Sequence, residues 1–143
     1  MAISDVGKVC LFSNISGVIL IDGKPAANAL VVRRANLNKE LKDEVTTDEN
    51  GYFEMPAVFT NTVTKYLPQE FAPKQNIDVI FNGTEYAIWS AVKSGPEENT
   101  ESKGKPLVVT CELNSENTTI VVDGAFIYSR CTWDVEPDPK MEF

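Results

Sequence analysis

The sequence predicts an all-β fold, a single antiparallel β-sandwich of seven to nine strands, and three observations carry that expectation. Apolar residues fall in short alternating or continuous runs, with hardly any sustained 3.6-residue period. Turn pairs of Asx followed by Gly recur at Asp22-Gly23, Asn50-Gly51, Asn82-Gly83 and Asp123-Gly124, the chemistry that tight hairpins demand. A chain of 143 residues buries roughly two-thirds of its extended surface, enough for one core and not two. Residues 1–143 are therefore read as one domain, its strands spaced as in two packed sheets.

Taken in order, Lys8 to Ser13 and Ser16 to Ile21 read as strands, and Asp22-Gly23-Lys24-Pro25 turns the chain toward a strand from Ala29 to Ala35. Leu30, Val31 and Val32 form the continuous apolar run of a core strand, after which Arg33 and Arg34 are expected to return the chain to water. Asn36 to Asp43 is polar and Lys-rich and fits either a helical turn or a loop. A strand starting near Glu44 and the strand Tyr52 to Met55 are expected to form a hairpin through the turn Asp48-Glu49-Asn50-Gly51, with Gly in the left-handed position. Pro56 to Gln75 holds Phe59, Tyr66, Leu67 and Phe71 among three prolines and is expected to pack across the domain as a structured excursion. Ile77 to Phe81 and Glu85 to Val92 make the clearest hairpin. Ser94 to Lys105 reads as an exposed loop. Leu107 to Leu113 and the hairpin Thr118 to Val122 with Ala125 to Tyr128 complete the sheets, leaving 134–143, which carries Pro137 and Pro139, as an extended tail.

The composition excludes several chemistries. The chain has no histidine, which removes Ser-His-Asp and Cys-His nucleophile pairs, His-ligated zinc and the side chain best suited to proton transfer at neutral pH. Thirteen basic against 21 acidic residues give a net charge of -8, which repels phosphate backbones, so no nucleic-acid partner is expected. No apolar run is long enough to span a bilayer and the N-terminus shows no export signal, so membrane insertion is not expected and a cytoplasmic location is. Cys10, Cys111 and Cys131 show no metal-ligand spacing; at most one pair can form, and buried free thiols serving as small hydrophobes are the expected state.

Thr46, Asp48 and Asn50-Gly51 follow part of a calcium-loop pattern, but Ala57 stands where the closing glutamate belongs, so a plain turn is expected and no metal or cofactor is assigned. The carboxylate pairs Glu97-Glu98 and Asp43-Glu44 lie in polar segments where both groups stay ionised, which does not suit a two-carboxylate hydrolase. No catalytic residue is assigned, and the chain is not expected to be an enzyme.

Residues 14–58 carry a recognisable pattern. Gly17-Val18-Ile19 leads to the turn Gly23-Lys24-Pro25 and to Ala29-Leu30-Val31, and after a spacer come Thr47-Asp48-Glu49-Asn50-Gly51-Tyr52-Phe53. This segment resembles the carboxypeptidase regulatory-like, transthyretin-like sandwich family, which implies a transthyretin-like or immunoglobulin-like fold and leaves activity open. The whole chain also resembles a set of short acidic bacterial proteins that share a Lys-Val-Cys-Leu-Phe-Ser start, here Lys8 to Ser13, a Pro-Glu-Glu-Asn loop at Pro96 to Asn99, and a Cys-Thr-Trp-Asp-Val-Glu tail at Cys131 to Glu136. A link of some of those proteins to type VI secretion implies an immunity or accessory role.

Charge asymmetry points to binding. The last 50 residues hold ten acidic and four basic side chains, with Trp133 among them, the composition of an aromatic anchor within a charged rim that steers a basic partner. The expected partner-binding residues are Tyr66, Phe71, Glu97, Glu98, Trp133, Asp134, Glu136 and Asp138. The expected partner is a protein, most concretely a toxin with a basic surface; the alternative is a structural or carrier role in a secretion or envelope assembly.

Overall fold

The computed structural model describes residues 8–37, 39–61 and 72–139. Thirteen strands run in chain order through the described residues: β1 Lys8–Phe12, β2 Ile15–Ile21, β3 Lys24–Pro25, β4 Leu30–Leu37, β5 Lys39–Thr46, β6 Tyr52–Met55, β7 Val58–Asn61, β8 Lys74–Phe81, β9 Thr84–Val92, β10 Leu107–Glu112, β11 Thr118–Val122, β12 Ala125–Ser129 and β13 Cys131–Trp133. The only helical element among them is one 3-10 turn, Thr100–Ser102. Thirteen exceeds the expected seven to nine because the two-residue β3, the three-residue β13 and the four-residue β7 carry almost no sequence pattern of their own.

The strands form three sheets. Six are ordered β11-β12-β9-β8-β4-β5; β13, β10 and β2 lie side by side with β3 and β6 both on β2; and β1 pairs with β7. Inward side chains of all three meet in one continuous apolar core that includes Leu11, Ile19, Val31, Ile77, Trp89 and Val109. Every pairing between described strands is antiparallel except β2 with β10, which is parallel from Ile15 opposite Leu107 to Leu20 opposite Glu112. That departs from a purely antiparallel arrangement. The two strands lie far apart in sequence, and the intervening chain returns β10 to the end where β2 began.

Two local expectations change. The described residues of Asn36 to Asp43 lie in strands: β4 and β5 pair from Leu30 opposite Thr46 to Leu37 opposite Lys39. β5 is an edge strand, so its charges can point to water while its backbone pairs on one side, and a polar strand there blunts the edge. Arg33 does not return to water. Period-two alternation puts it on the same face as Val31 and Ala35, and it is fully buried. Its guanidinium holds Asp43 through Nε at 3.0 Å and Nη2 at 2.7 Å. It also donates to the carbonyls of Ser13 and Pro56 and lies 5.1 Å from the centre of the Phe12 ring.

The clear hairpin forms as expected, with Asn82-Gly83 between β8 and β9, and a bulge at Ile77/Asp78 shifts its register. The segment 94–105, expected to be exposed, is partly internal: Glu101 and Ser102 are buried, as is Lys93 just before it. Within the excursion, Val58–Asn61 forms β7; Tyr66 and Phe71 lie outside the described residues.

Candidate functional site

Two places draw together the side chains that carry chemistry. The first is internal. Glu101, delivered by the 3-10 turn, is 3 % exposed, and its carboxylate accepts the Ser13 amide at 3.1 Å, the Ser13 hydroxyl at 2.5 Å and Gln75 Nε2 at 2.9 Å. Gln75 Oε1 accepts the Trp89 indole N–H at 3.0 Å, and the Glu101 carbonyl accepts that of Trp133 at 3.0 Å. A buried carboxylate costs several kcal/mol unless such donors satisfy it, and here three do.

Beside it, Lys93 uses its three protons on the carbonyls of Gly95 and Glu97 and on Thr100 Oγ1, so the segment that follows wraps around its ammonium group. Burial pushes Lys93 below the ordinary lysine value, against the pull of Glu101. Burial likewise raises the Cys10 thiol, whose sulfur lies 4.0 Å from Ser13 Oγ. A serine hydroxyl on a carboxylate has two parts of an activated nucleophile. Ser13 is nevertheless fully buried, and its oxygen also receives the Asn99 amide at 2.7 Å. The arrangement joins β1, β8, β9, β13 and the segment 94–105 into one polar joint.

The second place is the outer face of the six-stranded sheet. β12 alternates, with Ile127 and Ser129 inward and Phe126 and Tyr128 outward, 68 % and 50 % exposed. Tyr128 stands opposite Ser90 on β9 and Thr119 on β11, and Val92 is exposed on the same strand as Ser90. Two open grooves meet at Phe126. One, of about 310 Å³, runs from Val92 and Lys93 to the Asp123-Gly124 turn. The other, of about 350 Å³, runs between Lys74, Ser90 and Tyr128. Aromatic rings beside a groove, with a lysine and an aspartate at its borders, are what a protein partner can anchor on.

The expected tail residues are used differently from one another. Trp133 is half-buried, its ring centre 4.9 Å from that of Trp89, so its indole faces the core and not solvent. Asp134 is exposed and pairs with Lys105 at 3.3 Å. Glu97, Glu98 and Glu136 are exposed. Asp138 folds back on the β11–β12 turn: its carboxylate accepts the amides of Asp123 at 2.9 Å and Gly124 at 2.8 Å and meets Lys103 Nζ at 3.2 Å. Glu112 does the same for the β2–β3 turn, taking the amides of Asp22 at 3.0 Å and Gly23 at 2.7 Å. In both turns the Asp and the Gly have positive φ, which aims successive N–H groups at one point and makes a ready anion seat. Those amide bonds hold both carboxylates below their usual range: the Gly124 amide acts most strongly on Asp138, and the Asn114 amide most strongly on Glu112. Glu101, Glu112 and Asp138 thus serve the fold, and fewer of the late acids remain free to face a partner.

Phe126 and Tyr128 were not among the expected site residues. Their signal was legible: two aromatics flanking Ile127 in a strand put both on the face opposite the core. Asp48, the centre of the partial calcium pattern, turns its Oδ1 onto the amides of Asn50 at 2.8 Å and Tyr52 at 2.9 Å. Groups of three or more potential metal-ligating side chains are absent among the described residues.

An all-β chain with one continuous core, a closed internal joint and an aromatic outer face is the class that fold and site define. Residues 15–116 match the model of a family described as a domain of unknown function, DUF6795, and the chain belongs to that family. The match runs from the start of β2 to just past β10, so β12 and its two exposed aromatics lie beyond it. No curated protein matches the chain, and no solved structure does. No helix among the described residues is long and apolar enough to cross a membrane.

Proposed function

We propose that this chain is a non-enzymatic protein-binding β-sandwich domain of transthyretin-like type, most concretely an immunity protein that neutralises a cognate bacterial toxin. The observation that carries the reading is the pair Phe126 and Tyr128, at least half exposed side by side on β12 where two grooves meet. A net charge of -8 supports a basic partner, which long-range attraction brings to this face faster than a neutral one. Exposed Glu97, Glu98, Asp134 and Glu136 contribute to that attraction. The test is co-expression with toxins encoded beside its gene. Wild type is expected to restore growth and Phe126→Asp to fail while remaining folded; rescue by neither, or equally by both, removes this reading of the site.

One observation favours a second reading, a structural or carrier module of a secretion or envelope assembly. Cys111 and Cys131 are disulfide-bonded, and such bonds persist in oxidising compartments and are rare in the cytoplasm. This replaces the expectation of three free thiols and supports a location outside the cytoplasm. In that case the protein should co-purify with a large assembly and not with one small partner.

A further inference from the structure

The Cys111–Cys131 bond does more than join two strands. β13 pairs with β10 alone, through three residue pairs, and the disulfide is one of them. The described residues after it continue its contacts. Trp133, two residues on, closes against Trp89 and bonds the Glu101 carbonyl. Val135 packs on the core, and Asp138 donates its amide to the Val121 carbonyl at 2.7 Å while its carboxylate seats on the Asp123-Gly124 turn. The segment so held lies beside β11, Thr118–Val122, an outer strand without a single charged side chain. The opposite edge, β5, carries five charges in eight residues and is blunted by them. The uncharged edge is the one that the tail touches.

We infer that the Cys111–Cys131 disulfide is a redox latch: a dithiol reductant opens it, β13 and residues 134–139 detach, and the β11–β12 edge is uncovered while the rest of the core stays folded. In the step, a thiolate of the reductant attacks one sulfur and the S–S bond breaks. The second thiol of the reductant then attacks the first reductant sulfur in the mixed disulfide and expels the bound cysteine as its leaving group, leaving two cysteine thiols and an oxidised, cyclic reductant; two electrons and two protons pass to the protein. Once the bond is gone, two other residue pairs with β10, the Trp133 indole, Val135 and the Asp138 hydrogen bonds hold the segment with no covalent tie, and local opening of such segments is common.

The experiment uses the full chain carrying Cys10→Ser, so that no third thiol can exchange, with and without a dithiol reductant. Intact mass under non-reducing conditions reports the bond as a two-hydrogen difference. Amide hydrogen exchange reports the latch. On reduction, the Asp123 and Gly124 amides should exchange at least ten-fold faster and Trp133 fluorescence should shift to the red, with Ile77 and Val79 amides unchanged. With the bond intact, Asp138→Asn should speed exchange at Asp123 and Gly124 but leave Trp133 in place. Unchanged exchange on reduction overturns the inference, as does a uniform loss of protection that includes Ile77 and Val79, or a mass showing both cysteines already free. None of these outcomes bears on Phe126 as a binding anchor.

Discussion

Gly17 faces Val109 across β2 and β10, and a Cβ added to it would lie 1.9 Å from the Val109 carbonyl oxygen. No side-chain rotation relieves contact with backbone, so Gly17→Ala must part the two strands; the expected result is a loss of more than about 2 kcal/mol in urea denaturation, within the range for overpacking. Glu101 makes the opposite case, a side chain whose removal leaves others stranded. Glu101→Ala takes the acceptor from Ser13 and Gln75 and removes the carboxylate that pulls most strongly on the buried Lys93 ammonium, which should cost about 3–5 kcal/mol by the same measurement. Arg33→Ala, which abandons the Asp43 carboxylate, the buried Ser13 carbonyl and the Pro56 carbonyl, should cost a similar amount, about 3 kcal/mol. Equal stability of any of the three with wild type contradicts the assignment. Gly17 was legible in sequence as the first residue of the Gly17-Val18-Ile19 segment, though not the close approach that requires it. Arg33 was misread because three apolar residues in a row hid the alternation that continues through it. Glu101 was hidden by its neighbours: a carboxylate in a string of polar residues gives no sign that its donors come from Ser13 and Gln75, far away in sequence.

At the scale of elements, two turns hold carboxylates that are easier to ionise than free ones. For Glu112 and Asp138 the folded value lies below the unfolded one, near 4.5 and 3.8 respectively. Their contribution is therefore complete above those values and is lost as pH falls through the lower folded values. Denaturation midpoints should hold steady from pH 7 to about pH 5 and decline below pH 4.5, with a shallower decline in Glu112→Gln and in Asp138→Asn; an identical acid limb in wild type and both variants contradicts the two seats. The disulfide closes a loop with a sequence separation of 20. Replacing both cysteines with alanine should cost about 3 kcal/mol at equilibrium. The turns at Asp22-Gly23, Asn82-Gly83 and Asp123-Gly124 and their hairpins were legible because turn chemistry and apolar alternation are local properties of the sequence; Asn50-Gly51 also turns, but instead of closing a hairpin it carries the chain from β5 on β4 to β6 on β2, in another sheet. β13, β7 and the parallel pairing of β2 with β10 were not, since each depends on a partner remote in the chain. The same holds for the bond between Cys111 and Cys131, whose spacing matches no motif and whose pairing follows from a register.

Across the whole molecule, the inward faces of three sheets share one core, and the polar joint around Glu101 ties its first strand to its last. Apolar patterning pointed to the all-β class, and composition to the acidity and the absence of imidazole. An aromatic among acids reads as exposed, whereas Trp133 is half-buried with its ring against that of Trp89. The aromatic face that remains open is on β12; under the proposed function, the charged groups around the molecule would set how fast a basic partner arrives, and Phe126 and Tyr128 how long it stays. The most direct measurement is the affinity of the co-purified partner for four forms of the protein. Phe126→Asp and Tyr128→Ser should each weaken binding by about thirty-fold or more through faster dissociation. The double variant Asp134→Asn/Glu136→Gln should only slow association and flatten its salt dependence. Wild-type affinity in Phe126→Asp, with the largest loss in the tail variant, would move the binding surface back to the acidic tail and contradict this account.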